Sequence, residues 1–409
     1  MEWKEVTLGD LCEISSSKRI FAKEYQSDGV PFYRGKEIIA KQKGNAISNE
    51  LFISRNRYEE IKARYGVPQQ RELLLTSVGT LGVPYVIKEE EFYFKDGNLT
   101  WFRHFNGLDV EYLYYWFLSP YGKNEINTKA IGSTQKALTI DSLSKFDIKI
   151  PANLDDQRRI ASILSSLDRK IELNNKINAD LEEMAQAIFK NWFVDFEPFK
   201  DGKFVDSEFG MIPEGWKVGR LDEIADVVGG STPSKAKPEY YTQKGIAWLT
   251  PKDLSNHPAV YTSRGVIDIT EEGYNSTSTK LMPKGTILFT SRAPIGYISI
   301  AQNDICTNQG FKSLVPKKAG TCFLYCFLKY VTPEIENKST GSTFKEASGS
   351  LMKSLQVIMP EQKVFEDFET IVSPLFARIE SLEKENSCLS LLRDTLLPRL
   401  MSGELEVPE

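Results

Sequence analysis

The sequence predicts an α+β protein with two similar globular domains and two long helices that pair with each other. The first observation behind this prediction is a heptad pattern that continues for more than four heptads within residues 155–196. The second is that the pattern returns 208 residues later, at residues 363–404. The third is that the segments preceding the two heptad stretches match each other, which indicates an internal duplication.

Heptad spacing predicts the residues at which the two long helices meet. A seam of apolar or interface-compatible residues at 4-3 spacing needs a partner helix, and the second copy supplies one in the same chain. The predicted interface positions of the first helix are Ile160, Leu164, Leu167, Ile171, Asn174, Asn178, Leu181, Ala185, Ile188 and Trp192. Those of the second are Phe368, Val372, Leu375, Ile379, Leu382, Asn386, Leu389, Arg393, Leu396 and Leu400.

Polar residues and prolines interrupt this regular seam. The seam asparagines fix the register if they pair across the interface, because other alignments leave a buried amide without a partner. Alternatively, the interface opens there and water solvates the amides. Arg393 reaches the edge of the interface, an acidic neighbour or a partner surface. Pro374 starts or kinks the second helix, and Pro398 is expected to break its last turn.

The repeated segments set the expected domain boundaries. GSTQKALTIDSLSKFDIKIP at 132–151 matches GSTFKEASGSLMKSLQVIMP at 341–360, and both end in a proline just before a heptad stretch. We therefore expect a first domain at 1–151, a first long helix at 152–197, a linker at 198–215, a second domain at 216–360 and a second long helix at 361–403. Inside the domains, strands are expected near 86–87, 92–94, 148–150, 287–290, 298–300 and 357–359, and helices at 51–65, 110–118 and 321–330.

Charge is distributed unevenly over the 409 residues, whose formal net charge is −5 at pH 7. Lys and Arg outnumber Asp and Glu by 17 to 12 in residues 217–358, whereas residues 359–409 contain 5 basic and 11 acidic residues. A neutral to basic globular part is compatible with nucleic acid, and an acidic helix suits a protein partner or simply a solvated helix face. The chain shows no signal peptide and no apolar run of membrane length, so we expect a cytoplasmic protein without a membrane partner.

Searches for catalytic or metal-binding patterns fail. GGSTPSK at 229–235 lacks the second glycine and the following Ser or Thr of a phosphate loop, and the two histidines stand apart. Asp156 with Asp168-Arg169-Lys170 is better interpreted as a solvated helix face than as a nuclease cluster. Cys322 and Cys326 are expected on a buried helix face. The sequence therefore predicts no catalytic residue, no metal site and no cofactor.

Several loops carry side chains that suit DNA. Lysines and Gly-Ser/Thr turns contact phosphates, whereas Arg, Asn and Gln form paired hydrogen bonds with base edges in the major groove. The candidates in the first domain are Lys18, Arg19, Lys41, Lys43, Arg71, Ser133, Thr134 and Lys136. Those in the second are Ser231, Thr232, Lys235, Lys252, Arg292, Asn308, Gln309, Ser342, Thr343 and Lys345. An ordinary polar surface loop explains each of them when it is taken alone.

Across nearly its full length, the chain resembles the DNA-specificity subunits of type I restriction–modification systems. The resemblance rests on GGSTPSK, FTSRAPIG at 289–296, CTNQGFKSL at 306–314, DQRRIASILSSLDRKIELN at 156–174 and LLPRLMSGEL at 396–405, in this order together with the repeated GST…IP segments. It implies two target-recognition domains that each read half of a split, asymmetric sequence in double-stranded DNA. It also implies two antiparallel helices that set the spacing and bind two methyltransferase subunits.

The resemblance assigns the chemistry to partners. It implies that the methyltransferase subunits use S-adenosylmethionine to methylate adenine and that separate motor subunits, which use ATP, cleave DNA. The first domain departs from the second, since it has SVGTLG in place of SRAPIG and DGNLT at 96–100 in place of TNQGF. Different half-site sequences explain this difference. Two other classes stay open: a coiled-coil scaffold or ligand-binding module, and a single-chain DNA-modifying enzyme with an unrecognised active site.

Overall fold

The computed structural model describes residues 1–44, 47–48, 50–132, 136–340 and 345–407. The predicted residues Ser133, Thr134, Ser342 and Thr343 lie outside these ranges. The chain divides into two compact units, one made of residues 1–171 with 388–409 and the other of residues 172–387. Each unit combines a globular domain with part of both long helices, and none of the described helices is long and apolar enough to cross a membrane.

The first globular domain alternates short strands and helices. Its strands are β1 (Trp3–Thr7), β2 (Glu13–Ser15), β3 (Tyr25–Gln26), β4 (Val30–Tyr33), β5 (Phe52–Ile53), β6 (Leu73–Thr76), β7 (Pro84–Val86), β8 (Tyr93–Phe94), β9 (Leu99–Arg103) and β10 (Asp147–Pro151). Its helices are α1 (Leu8–Leu11), α2 (Gly35–Gln42), α3 (Arg55–Tyr65), α4 (Val110–Leu118), α5 (Pro120–Lys129) and α6 (Ile140–Ser144). The first long helix, α7 (Leu154–Phe193), follows.

The second globular domain has the same alternation. Its strands, with the hairpin that precedes them, are β11 (Phe204–Ser207), β12 (Gly210–Pro213), β13 (Lys217–Arg220), β14 (Ala225–Gly229), β15 (Tyr241–Thr242), β16 (Trp248–Leu249), β17 (Tyr261–Thr262), β18 (Asp268–Ile269), β19 (Ile287–Ser291), β20 (Ile295–Ala301), β21 (Cys306–Thr307), β22 (Lys312–Pro316) and β23 (Gln356–Met359). Its helices are α8 (Leu221–Ile224), α9 (Pro251–Asn256), α10 (Glu271–Asn275), α11 (Thr321–Lys338) and α12 (Gly349–Ser354), followed by the second long helix, α13 (Gln362–Ser402).

The two globular domains share one topology. The main sheet has the order β2-β9-β6-β7 in the first domain and β14-β22-β19-β20-β17 in the second. In each domain the first strand pairs antiparallel with the last, β1 with β10 and β13 with β23. A short parallel pair also recurs, β4 with β8 and β16 with β21. The predicted duplication is therefore visible strand by strand.

Helix α4 shows why the domain cores form where they do. Asp109 caps its N-terminus by accepting the backbone N–H groups of Glu111 and Tyr112, and the helix is otherwise almost entirely apolar. It belongs to the same buried cluster as Phe102 and Ile150. The corresponding helix α11 buries Cys322 and Cys326, as predicted, and burial raises the pKa of both thiols. A helix that is apolar on most sides must be buried on most sides. Helices α4 and α11 are buried by residues of the sheets and of the long helices.

The long helices pair antiparallel within each unit. In the second unit Asn174 bonds to Asn386, whereas Phe193, near the end of α7, meets Phe365, near the start of α13. In the first unit Ile160 and Leu164 share a buried cluster with Leu397, Leu400 and Met401. All twenty predicted seam positions are buried or half-buried, and none is exposed.

The seam polar residues are paired rather than open to water at two of three positions. Asn174 Nδ2 donates to Asn386 Oδ1 at 2.9 Å, and Asn386 Nδ2 donates to Asn175 Oδ1 at 2.8 Å. Arg393 pairs with an acidic neighbour, since its Nη1 lies 2.7 Å from Asp168 Oδ1. The expectation of a solvated helix face is therefore wrong for Asp168, which forms an ion pair with Arg393 of α13 instead.

Three local expectations are also corrected. Pro398 does not break the last turn, because α13 continues to Ser402 with Leu400 and Met401 anchored in the core. Of the two alternatives for Pro374, only the start of a helix is excluded, since α13 is a longer helix that runs through it. The expected helix at 51–65 begins only at α3, because its first residues form β5 and Ser54 caps the helix. The predicted linker contains the hairpin β11–β12, which the sequence pattern did not reveal.

Candidate nucleic-acid interface

In the second domain, several of the predicted loops meet at the ends of neighbouring strands. Ser231, just after β14, donates its backbone N–H to the carbonyl oxygen of Thr307 at the end of β21, 2.9 Å away. The next residue, Asn308, donates its backbone N–H to the carbonyl oxygen of Leu249 at the end of β16, also at 2.9 Å. These bonds hold together the loop after β14, the start of α9 and the loop after β21.

The hairpin loop between β19 and β20 joins the same group. Ser291 donates its backbone N–H to the carbonyl oxygen of Gly310 at 2.8 Å, and its own carbonyl oxygen accepts the N–H of Ala347 at 2.9 Å. The following residue, Arg292, is 36% exposed, and its guanidinium lies 3.4 Å from the carboxylate of Glu346. Arg292 is thus placed beside the loop after β21.

Two glycines make this close approach possible. A Cβ at Gly230 would overlap the carbonyl oxygens of Thr307 and Asn308. A Cβ at Gly310 would lie 2.7 Å from Pro251 Cγ, at the first residue of α9. Only a residue without a side chain lets these loops pack so tightly. We call residues 230–235, 250–252, 291–296 and 308–310 the second loop edge.

A cleft of about 390 Å³ opens at the second loop edge. It is lined by Thr232, Lys235, Tyr241, Trp248, Thr250, Ile267, Asn308 and Gln309. Four of these residues were predicted from the sequence: Thr232, Lys235, Asn308 and Gln309. The aromatic walls were not, because Tyr241 and Trp248 lie on two-residue strands that no sequence period reveals. The predicted Lys252 is exposed on the first turn of α9.

Hydrogen bonds within the loops decide which groups remain for a ligand. Asn308 Oδ1 accepts the backbone N–H of Gly310 at 2.8 Å, and Gln309 Oε1 accepts a hydrogen bond from the Thr232 hydroxyl. Both amide oxygens are therefore engaged, and the amide N–H groups of Asn308 and Gln309 are left to donate. Donors of this kind suit acceptors on a base edge, such as purine N7 or guanine O6.

The first domain builds the same edge from other residues. Ser17 Oγ donates to the carbonyl oxygen of Phe94 at 2.8 Å, and Lys95 donates its backbone N–H to the carbonyl oxygen of Tyr33 at 2.8 Å. Ser77, after β6, donates its N–H to the carbonyl oxygen of Asn98 at 2.8 Å. These are the counterparts of the bonds made by Ser231, Asn308 and Ser291. We call residues 16–19, 77–82 and 95–98 the first loop edge.

The predicted residues of the first domain divide between this edge and other places. Lys18 and Arg19 belong to the first loop edge, and Lys136 is exposed next to Ala137, which bridges to Val78 of that edge. Arg71 is not brought there. It precedes β6, at the opposite end of that strand from Ser77, and its guanidinium lies 3.1 Å from Asp109.

Two further predicted lysines of the first domain lie on or next to α2. Lys41 is 22% exposed and forms an ion pair with Glu90 at 2.6 Å, with its ammonium 5.0 Å from the ring centre of Tyr33. Burial is the largest single effect on the pKa of Lys41 and lowers it, but the hydrogen bonds and charges of Glu90 and Tyr33 together outweigh burial, so the pKa is raised. Lys43, at the end of the helix, is exposed. Lys41 is thus held inside the domain, while Lys43 is available to solvent.

A second, basic cleft in the second domain was missed by sequence reasoning. Its volume is about 530 Å³, and its lining includes Arg220, Lys338 and Lys353 together with three serines. Glu346, which also lines it, contacts both Arg292 and Lys312. Cationic and hydroxyl groups of this kind contact phosphates. The predicted Lys345, just before Glu346, is exposed and donates to the carbonyl oxygen of Glu336.

A family model described as the type I restriction modification DNA specificity domain matches residues 1–183 and again residues 213–388. Together the two matches take in most of the chain. The chain belongs to this family. The matches also repeat the internal duplication, since each copy of the specificity domain contains one loop edge and the beginning of one long helix.

Individual specificity subunits are also similar to this chain. A HindI specificity subunit of Haemophilus influenzae is 28% identical over 66% of this chain and 71% of its own length. A MjaIX specificity subunit of Methanocaldococcus jannaschii is 40% identical, but the match covers 46% of this chain and 44% of that protein. The chain thus spans less than half of that relative.

A solved structure supports the fold of this specificity-family chain. The crystal structure of a type I restriction–modification S subunit from M. genitalium covers 98% of this chain and 96% of its own, with a TM-score of 0.58 at 19% identity. At that identity the likeness concerns the fold alone. Among the described residues, no group of three or more His, Cys, Asp and Glu side chains is arranged to hold a metal ion.

Proposed function

We propose that this chain is the subunit that gives a type I restriction–modification complex its DNA sequence preference. Each globular domain reads one half of a split, asymmetric sequence in double-stranded DNA. The observation that carries the proposal is that one loop edge is built twice, at the same point of the same fold, from different side chains. Similar scaffolds with different reading groups are what two unlike half-sites require.

The loop edges contain both kinds of group that DNA recognition needs. Exposed lysines such as Lys18, Lys136, Lys235 and Lys252 supply contacts to phosphates, which position the protein. Arg292 and the amide donors of Asn308 and Gln309 supply contacts to base edges in the major groove. The basic cleft beside Glu346 adds a place for a phosphate of the same duplex. The acidic balance of the whole chain is no obstacle, because the excess of acidic over basic residues lies in the segments that contain the long helices.

The long helices serve as the docking surface for two methyltransferase subunits and, through them, for the restriction motor subunits. In the first unit α13 exposes Leu391 and Leu392, which are 70% and 46% accessible. In the second, Met184 and Ile371 are about half exposed. Large apolar side chains exposed on a helix among acidic residues are typical of protein-binding surfaces. The partners would carry S-adenosylmethionine and ATP, so this chain itself contributes no catalytic group, and the complex works on DNA in the cytoplasm.

Helix length gives the spacing between half-sites a physical basis. The seam from Ile160 to Trp192 extends over roughly 48 Å at 1.5 Å per residue. That length corresponds to about 14 base pairs of B-DNA. Helices of this length are compatible with half-sites whose major grooves lie about one helical turn apart on the DNA.

Selection from a randomised DNA library tests the proposed function. The chain, co-purified with its methyltransferase subunits, should enrich duplexes with two short conserved blocks separated by a spacer of fixed length. Binding should weaken steeply as salt rises, because lysine contacts release counterions from the phosphates. Enrichment of a single continuous block, or no DNA binding at low salt, would contradict the proposal. Methylation or cleavage by the purified chain alone would favour the single-chain enzyme instead.

A further inference from the structure

The same two loops are tied together by a pair of side chains in each domain. In the first domain Arg19, after β2, pairs with Asp96, two residues beyond the end of β8. In the second domain Thr232, after β14, bonds to Gln309, two residues beyond the end of β21. The positions correspond in topology, but an ion pair has replaced a neutral hydrogen bond. The loop edges therefore differ in chemistry at this pair.

The backbone around Arg19 is held firmly. Lys18 donates its backbone N–H to the hydroxyl oxygen of Tyr93 at 2.7 Å, and Tyr93 is 1% exposed. In the two residues before Lys18, Ser17 Oγ donates to the carbonyl oxygen of Phe94, and Ser16 Oγ accepts the backbone N–H of Gly97 at 3.4 Å. The loop that carries the arginine is thus fixed to the loop that carries its carboxylate.

The two partners of the ion pair are exposed to very different extents. The Asp96 side chain is 16% accessible, whereas the Arg19 side chain is 68% accessible. Arg19 Nε donates to Asp96 Oδ2 at 2.8 Å, and this is its one hydrogen bond to the described part of the chain. The Nη1 and Nη2 groups at the end of the guanidinium therefore project from the domain with their donors available.

Resting on the proposed function, we propose that Arg19 reads a guanine in the half-site of the first domain and that Asp96 positions it. Two parallel N–H donors at the end of a guanidinium match guanine O6 and N7, which is the commonest specific contact in the major groove. Asp96 engages Nε, so it fixes the plane of the guanidinium without competing for the reading donors. It acts through the arginine and does not itself touch the base.

The pair in the second domain supplies a different kind of reading group. Gln309, oriented by Thr232, offers an amide at the mouth of the aromatic cleft and has no positive charge. The matching positions thus assign an arginine reader to one half-site and an amide reader to the other.

Because a lysine is a point charge rather than a planar fork, it cannot replace Arg19 in this role.

Binding selections with four variants test the assignment. Arg19→Ala should weaken binding to the wild-type target by roughly 5- to 160-fold and abolish the preference for guanine at one position, which is the range for one bidentate contact. Arg19→Lys should not restore that preference. Asp96→Asn should retain the preference for guanine but reduce it. Arg55→Ala, which breaks the exposed ion pair between Arg55 and Glu91, should leave it unchanged and serves as the matched control.

The readouts separate this inference from the proposed function. The half-site of the second domain should be unchanged in all four variants, and thermal unfolding of Arg19→Ala should match that of Arg55→Ala. If wild-type protein selects a split sequence but Arg19→Ala keeps the same preference at every position, the reading role is refuted while the proposed function stands. If the wild-type protein selects no sequence, the proposed function itself fails.

Discussion

At the residue scale, the proposed reading groups of the second domain are held by hydrogen bonds and ion pairs that leave some of their donors free. The amide oxygens of Asn308 and Gln309 accept hydrogen bonds within the protein, whereas their amide N–H groups remain free to donate. Arg292 shares Glu346 with Lys312, so one carboxylate is balanced by two cations. The arrangement keeps positive charge at the loop edge without burying an unpaired group.

Replacing Arg292 with alanine tests the base-reading role of that edge. The variant should bind the target about 1–3 kcal/mol more weakly and relax one base pair of the second half-site. Competition binding against duplexes altered at single positions measures both effects. Replacing Arg71 by alanine is the control, because Arg71 lies at the opposite end of its strand beside Asp109. An unaltered sequence preference in Arg292→Ala would exclude the role.

Some of these residues could be predicted from the sequence and others could not. Arg292, Asn308 and Gln309 could be selected as candidates from the sequence because Arg, Asn and Gln are side chains that form paired hydrogen bonds with base edges. Asp96 was missed because an acidic residue does not suggest DNA contact until its arginine is known. That partner is 77 residues away in the chain, so only the pairing of β4 with β8 and the fold around it bring them together.

At the scale of elements, heptad spacing predicted the helix seam well because one periodic pattern determines one buried face. Heptad spacing could not predict which additional residues are buried where a globular domain packs against the helices. Phe189 and Phe193 lie beside the seam positions and contact Phe323 of α11. Similarly, Pro398 does not end α13 as the sequence predicted, since the packing of Leu400 and Met401 outweighs the missing hydrogen bond.

A double-mutant cycle on Asn174 and Asn386 tests whether the seam asparagines act as a pair. Each replacement by leucine alone leaves the other amide short of a partner, whereas the double replacement removes both. The free energies of unfolding should therefore be non-additive by on the order of 1 kcal/mol. Asn178, one turn further along α7, makes no described bond to Asn386 and provides the control cycle. Additive losses in the Asn174 cycle would contradict the pairing.

At the scale of the whole molecule, duplication accounts for both the likeness and the difference of the two domains. The strand order of the main sheet is retained, so the loops after β2, β6 and β8 recur after β14, β19 and β21. The side chains on those loops have diverged, from Arg19 and Asp96 to Thr232 and Gln309. A repeated scaffold with unlike loops is the expected design for reading an asymmetric sequence with one chain.

The most direct test of the central claim is methylome sequencing of DNA from cells with and without this gene. With the gene, adenine methylation should appear at a two-part sequence with a spacer of constant length, and it should vanish when the gene is deleted. Restoring the gene with Arg19→Ala should relax the first part of that sequence and leave the second unchanged. A methylation pattern that is the same with and without the gene, or one that follows a single unbroken sequence, would contradict the account.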